Sequence, residues 1–251
     1  MPQTDRKYDI IFWGASGFTG QLTCEYIATQ IHAGELTLRW AIGGRNEAKL
    51  KAIQTQLKAQ TEGRAQPDIV LGDSHDLNSL LAITQQTRVI CSTVGPYLEY
   101  GSLLIQACVE NQTHYCDLTG EVPWIQKMVD QHHEKAASNR TKIVNCCGFD
   151  SIPSDMGCLV LQEYAISNHQ APADEVTLYV MGSKGGFSGG TLASMIGMMD
   201  QAKHDKSIRK ALFAPYALNP KGQREGPDGS DQTQVMWAED IQKWTAPFIM
   251  A

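Results

Sequence analysis

Residues 8–20 constrain this chain more than any others. Tyr8–Trp13 (YDIIFW) is a compact apolar run that leads directly into Gly14-Ala15-Ser16-Gly17-Phe18-Thr19-Gly20. Closely spaced glycines between a short strand and an amphipathic stretch are the pattern of a phosphate-holding strand–turn–helix. Gly14 permits the tight turn, Gly17 lets the backbone approach a diphosphate, and Gly20 lets the helix lie close to the sheet. The diphosphate would rest on free N–H groups at the helix start, helped by the helix dipole. The spacing is G-x-x-G-x-x-G rather than G-x-G-x-x-G, so a plain strand–helix turn is the alternative. Dinucleotide binding by residues 14–20 is the expectation.

The rest of the first 150 residues repeats this alternation. The first helix carries Leu22, Tyr26 and Ile27 and closes at Gly34. Strands are expected at 38–43, 68–71, 88–93, 114–117 and 142–145. Helices are expected through Leu50, Ile53 and Leu57 (capped by Asn46), through Leu80 and Ile83 (capped by Asp76), and over 103–108 and 124–137. Short apolar strands alternating with amphipathic helices give a doubly wound parallel sheet of Rossmann type, with helices on both faces. The pattern changes after Asp150. A helix is expected over 155–166, and Glu175–Met181 (EVTLYVM) alternates, with Val176, Leu178 and Val180 on one face. A Met-rich helix over 190–204 and a polar loop over 218–234 follow. These features predict a second, α+β domain over 151–251 with a more open, mainly antiparallel sheet. The last residues, Trp244–Ala251, form an apolar run without a polar tail, so a longer natural chain is expected.

Composition narrows the functions. The 21 Lys and Arg against 27 Asp and Glu give a net charge of −6, with no basic cluster. Nucleic acid is therefore excluded as an expected partner. No stretch reaches the roughly 18–20 apolar residues of a membrane span, and the N-terminus lacks a signal peptide's apolar core. The seven cysteines form no Cys-x-x-Cys pair and fall mostly inside predicted elements, as buried thiols do. A cytoplasmic, reducing location is expected, with peripheral membrane or lipid association left open. No metal site is expected, because no Cys or His cluster has ligand spacing.

The ends of the predicted strands carry the chemistry. After the second strand comes Gly43-Gly44-Arg45-Asn46, with Lys49 a turn later and no acid. An Asp or Glu there would serve the ribose 2′-OH of NAD, whereas a guanidinium suits a 2′-phosphate. NADP(H) is the expected cofactor, with Arg45 as its main contact and Asn46 beside it; a solvated Arg45 is the alternative. Asp73 lies near the adenine or caps the next helix. Val94, Gly95 and Pro96 follow the fourth strand, at the point where strand order reverses beside the nicotinamide. Tyr97 and Tyr100 can point into that cleft. Asp117 and Glu121 follow the fifth strand, as proton-relay groups or as caps of the helix near Val122. Tyr97, Asp117, Glu121 or water is the expected proton donor. Asp150 and Ser151, at the domain junction, are candidate substrate contacts with Tyr100, although Ser154 or Asp155 can cap a helix there. The loop 182–191 either binds an anionic substrate or is a turn capped by Ser188 or Thr191. Met195, Met198 and Met199 read as core packing, and Cys146-Cys147 as structural. No Tyr-x-x-x-Lys dyad follows any of the eight tyrosines.

GASGFTG (14–20), AIGGRN (41–46), TVGPY (93–97), YCDLTGE (115–121) and GFDSIPSDMG (148–157), in this order, resemble the saccharopine dehydrogenase-like oxidoreductases, a group that includes trans-acting enoyl reductases. The resemblance spans about residues 8–200. It implies an NADP-binding Rossmann domain over 1–150, followed by a substrate and dimerisation domain whose sheet covers the cleft, in a chain longer than this one. Asp150-Ser-Ile-Pro153 stands where saccharopine reductases proper carry an Asp-Pro-Gly type signature, which argues against saccharopine. The implied reaction is hydride transfer to a C=C, C=N or C=O of a small or lipid-like substrate, with a homodimer as the assembly. The rival is a non-catalytic NADP-binding regulator or lipid-associated scaffold.

Overall fold

A computed structural model of the chain describes residues 5–182, 184–186, 188–212, 214, 216–220, 222–224 and 234–247. Its frame is one six-stranded parallel sheet. The strands are β1 (Tyr8–Trp13), β2 (Trp40–Gly44), β3 (Asp68–Leu71), β4 (Thr87–Ser92), β5 (His114–Asp117) and β6 (Ile143–Val144), in the spatial order β3-β2-β1-β4-β5-β6. The crossovers are α1 (Phe18–Ala33), α2 (Glu47–Gln60), α3 (Leu77–Thr84), α4 (Tyr97–Tyr100), α5 (Ser102–Glu110) and α6 (Val122–Ser138). Then come α7 (Ile152–His169), α8 (Gly189–His204), α9 (Lys206–Leu212) and an antiparallel pair, β7 (Met236–Ala238) with β8 (Lys243–Thr245). The strand order reverses between β1 and β4, and the crevice beyond their carboxyl ends is where this architecture binds ligands.

Alternation along the strands feeds two cores. On one face Ile11, Trp13, Ile90 and Tyr115 pack with Leu80 of α3, Leu104 and Ile105 of α5, and Trp124 and Met128 of α6. On the other, Phe12 and Ile42 pack with Cys24 and Ala28 of α1 and with Leu50, Ile53 and Leu57 of α2. Side chains buried on both faces of a parallel sheet explain why its strands read as near-continuous apolar runs. The α2 and α3 caps form as expected: Asn46 accepts from the Lys49 N–H, Asp76 accepts from the Asn78 N–H, and Gly34 ends α1 in the left-handed region.

Three expectations are corrected. The buried stripe of α1 is Gly20, Cys24 and Ala28, whereas Leu22 and Tyr26 are 51% and 64% exposed. Small residues at i, i+4 and i+8 let the helix lie close to the sheet, and the larger ones turn outward. Glu175–Met181 forms no strand, and its Val176, Leu178 and Val180 are exposed. Alternation marks two faces, but a strand exists only by pairing its N–H and C=O groups, and no described strand pairs with it. The antiparallel pair is instead β7–β8, joined by a Trp237–Trp244 edge contact at 5.7 Å. Cys147 and Cys158 are exposed, so the thiols are less uniformly buried than their placement suggested. Residues 221 and 225–233 of the polar loop, and 248–251 of the last apolar run, lie outside the described residues.

One buried cation escaped the sequence. Arg6 donates to the carbonyl oxygens of Thr84 (2.8 Å) and Thr87 (2.6 Å), to that of Asn111 and to Thr113 Oγ1. It ties the entries of β4 and β5 together at the end of the sheet opposite the ligand crevice.

Candidate functional site

The turn after β1 is built for an anion. The Gly14 and Ala15 N–H groups both donate to the Gly43 carbonyl (3.0 and 3.3 Å), and Gly17 N–H donates to Gly14 O (2.9 Å). These bonds fold the turn and leave the N–H groups of Ser16, Phe18 and Thr19 without a protein acceptor among the described residues. Gly17 occupies the N-cap position of α1 with no side-chain cap, and no acid stands in the first turn. An open helix N-terminus of this kind has donors and a partial positive charge to spend on phosphate. Gly14 takes φ +90°, and a Cβ there would lie 2.5 Å from Val94 Cγ2. A Cβ on Gly20 would lie 2.2 Å from the Gly14 oxygen and 2.8 Å from Ala15 Cα. The obstacles to Gly20 are backbone, and the positive φ of Gly14 strains any side chain, so glycine is required at both. The residues present fit a dinucleotide diphosphate.

The end of β2 offers Arg45, exposed and without a carboxylate partner among the described residues. Asn46 uses its side chain to cap α2. Asp73 does not cap α3; its Oδ1 accepts from the His75 N–H at 2.9 Å and shapes the turn, while Asp76 makes the cap. Tyr100 sits with this group. Its ring lies 5.1 Å from His75, and hydrogen bonding to Glu99 raises its phenol pKa. It does not line the cleft described next.

That cleft runs from Thr19 of the phosphate turn past Thr93, Gly95 and Tyr97 to Leu118, Thr119, Gly120 and Glu121, with Asp150 at its rim. Gly95–Pro96 is a cis peptide. The three expected proton donors are all engaged. Tyr97 is buried and donates its hydroxyl to the Ser92 carbonyl at 3.1 Å. Burial, then the nearby Asp117, raises its pKa. Asp117 is buried with four bonds: Oδ1 accepts from the N–H groups of Thr119 (3.1 Å) and Cys146 (3.2 Å), and Oδ2 from Tyr115 Oη and Asn145 Nδ2 (2.8 Å each). Burial pushes its carboxyl up, and those bonds pull against it. It fastens the end of β5 to the loop after β6.

Glu121 stands at the N-cap position of α6 but does not cap it. Its Oε1 accepts from the Tyr97 N–H (2.8 Å) and from Ser194 Oγ (2.7 Å), and its Oε2 from the Leu98 N–H (2.8 Å). Its carboxylate therefore caps α4 and pins α8 at the same time. Neither acid is the cap of α6 that the sequence offered as an alternative. Ser151 takes the N-cap position of α7 without a side-chain cap, and its carbonyl accepts from Ser154 Oγ at 2.9 Å. It is not among the cleft-lining residues. Ser188 caps α8 through the Thr191 N–H (3.2 Å), so the capped turn of the 182–191 loop forms, and Ser188, Gly190 and Thr191 also line the cleft; Ser183 and Phe187 lie outside the described residues.

The far wall of the cleft was missed by sequence reasoning. It is the face of α8 that carries Thr191, Ser194, Met195 and Met198. No residue of α8 is buried, so Met195 and Met198 are not core. The signal was present as an i, i+3, i+4, i+7 spacing that marks one helical face.

No described helix is long and apolar enough to cross a membrane. Residues 10–144 match the family model described as the saccharopine dehydrogenase NADP-binding domain. A Mycobacterium tuberculosis protein whose name assigns it provisionally to the trans-acting enoyl reductases is 37% identical over 259 residues, covering 100% of this chain and 60% of the relative. A trans-acting enoyl reductase of Mycobacterium bovis is 33% identical over 219 residues, covering 87% and 51%. Saccharopine dehydrogenase (L-Glu forming) of Saccharomyces cerevisiae, a solved structure, is 14% identical at a TM-score of 0.47, covering 65% of this chain and 32% of that one. The chain thus spans about 60% or less of the length of these curated relatives. The glycine turn, the 3-2-1-4-5-6 sheet and the match over residues 10–144 together place the chain in the saccharopine dehydrogenase NADP-binding domain family, with NADP(H) as its cofactor.

Proposed function

We propose that the chain supplies the cofactor domain and one wall of the active cleft of an NADPH-dependent reductase that acts on the double bond of an uncharged acyl group. The observation that carries this reading is the charge of the cleft. Its described lining contains two carboxylates, Glu121 and Asp150, and no Lys, Arg or His. The free carboxylates of a substrate would meet repulsion there and no counter-cation among the described lining residues. A neutral acyl group, esterified to a carrier or to a small thiol, would not. The names of the relatives point the same way.

In this reading Ser16, Phe18 and Thr19 hold the diphosphate by their N–H groups, Arg45 takes the 2′-phosphate, and Val94–Pro96 form the seat of the nicotinamide. When bound, NADPH supplies the hydride. Tyr97, Asp117 and Glu121 hold the cleft in shape rather than donate protons, since every oxygen they carry is already engaged. The proton that completes the reduction comes from water entering past Asp150. Anaerobic single-turnover mixing of NADPH with crotonyl and octenoyl thioesters of N-acetylcysteamine tests this, through loss of nicotinamide absorbance. A second reading, a non-catalytic NADP-binding regulator, is favoured by the lack of a buried, unengaged acid in the cleft, since Glu121 is fully bonded and Asp150 is exposed at the rim. NADPH binding with no oxidation by any thioester, in the longest form of the protein available, is its outcome.

A further inference from the structure

The face of α8 toward the cleft has two features that a structural helix would not need. None of its 16 residues is buried, so the helix adds nothing to either core. It is nonetheless held at a fixed place: Ser194 donates to Glu121 at 2.7 Å, and a Cβ on Gly95 would come within 3.7 Å of Ser194 Oγ. One bond therefore seats the helix directly over the turn that follows β4. With Ser194 so pinned, Met195 and Met198 are delivered into the cleft one residue and one turn further on, where Leu118 and Gly120 also line it. Met199, the next residue, does not line the cleft and is 63% exposed.

Thioethers on flexible, unbranched stems adapt to a chain of methylenes without imposing a single shape. The opposite wall is mostly backbone and small side chains, from Thr93, Gly95, Thr119 and Gly120. Among small neighbours, the two methionines are the flexible apolar groups of the lining that can fix the length and thickness of the apolar part of what enters. We infer that Met195 and Met198 are the residues that set acyl-chain length in this protein. The inference rests on the acyl reading above and deepens it.

The test compares Met195→Trp and Met198→Trp with Ile196→Trp as the control on the opposite face, where Ile196 is 67% exposed and lines no part of the cleft. NADPH affinity is measured by titration, and binding of crotonyl, octenoyl and dodecenoyl N-acetylcysteamine thioesters by calorimetry in the presence of NADP+. Filling the cleft should weaken the dodecenoyl thioester about tenfold or more, since each methylene kept out of an apolar site forfeits a several-fold factor. Because Thr19 and Gly95 of the cofactor seat line the same cleft, thioester binding is compared at NADP+ concentrations that saturate each variant; the crotonyl thioester should then stay within about twofold, and the control should match wild type throughout. Equal weakening of all three thioesters, or an unchanged length profile, overturns the inference while the reductase reading stands. NADPH binding with no thioester bound by wild type overturns both. Because α8 lies outside the cores, the variants are expected to fold, and a thermal melt within a few degrees of wild type confirms it.

Discussion

Glu121→Gln is the perturbation that most directly probes how the cleft is built. The wild-type carboxylate accepts three hydrogen bonds, two of them from backbone N–H groups that cannot reorient. A glutamine offers one carbonyl oxygen. Placed at the Oε1 position, it keeps the bonds to Tyr97 N–H and Ser194 Oγ as neutral ones and turns an NH2 group against the Leu98 N–H. Placed the other way, it keeps the Leu98 bond, orphans the Tyr97 N–H, and leaves Ser194 Oγ to accept from the NH2. Charge-assisted bonds contribute about 1.5–3 kcal/mol each, and a buried donor left unmade costs about 1–3 kcal/mol. Weakening two bonds and orphaning one donor therefore costs roughly 3 kcal/mol. For a chain of this size that lowers Tm by about 6–12 °C. Ser194→Ala removes only the third bond and should cost about 1 kcal/mol. Circular dichroism melts and urea titrations read both. If Glu121→Gln stays within about 0.5 kcal/mol of wild type, the carboxylate is not the anchor described here.

Other consequences follow from the same geometry. Gly20→Ala must move backbone atoms that lie 2.2 and 2.8 Å from the new Cβ, so it should destabilise by about 2–4 kcal/mol and lower NADPH affinity, measured by urea denaturation and titration. Asp117→Asn should be tolerated within about 1 kcal/mol at neutral pH, because the Tyr115 hydroxyl can rotate and the Asn145 amide can flip to accept the new NH2. Its pH dependence separates the roles. A carboxyl raised in the folded state binds protons more tightly there, so its contribution to stability is present at low pH and is lost as pH rises through and above the usual carboxylate range. The wild-type minus Asp117→Asn stability difference should therefore fall with rising pH, and a flat or rising difference contradicts the assignment. A disulfide-exchange thiol reagent should modify Cys147 and Cys158 first in the native protein. Cys24, whose thiol burial pushes up to about 12, and Cys108 should react only on unfolding.

The sheet was legible in the sequence because each βα unit repeats one signal, an apolar run, a turn and an amphipathic stretch, and β5 falls on residues 114–117 as the pattern places it. The glycine turn was legible because the steric demands at Gly14 and Gly20 are local. What failed was whatever depends on a distant partner. Val176, Leu178 and Val180 alternate correctly but have no described neighbour to pair with. Glu121 looked like the cap of the helix it begins, yet its carboxylate turns to the Tyr97 and Leu98 N–H groups, which are 24 and 23 residues away. Met195 and Met198 carry a helical face in their spacing, but spacing does not say whether that face meets a core or a cleft. Arg6 gave no signal, since a single cation near the N-terminus reads as solvated until its carbonyl partners are known.

The most direct test of the account is calorimetric titration of NADPH and NADH into wild type and Arg45→Ala. Loss of one charge-assisted contact to the 2′-phosphate should weaken NADPH by about 1.5–3 kcal/mol, roughly 10- to 150-fold, and leave NADH within about twofold. Equal weakening of both coenzymes, or no change in either, would contradict the assignment of Arg45 and of the crevice it guards.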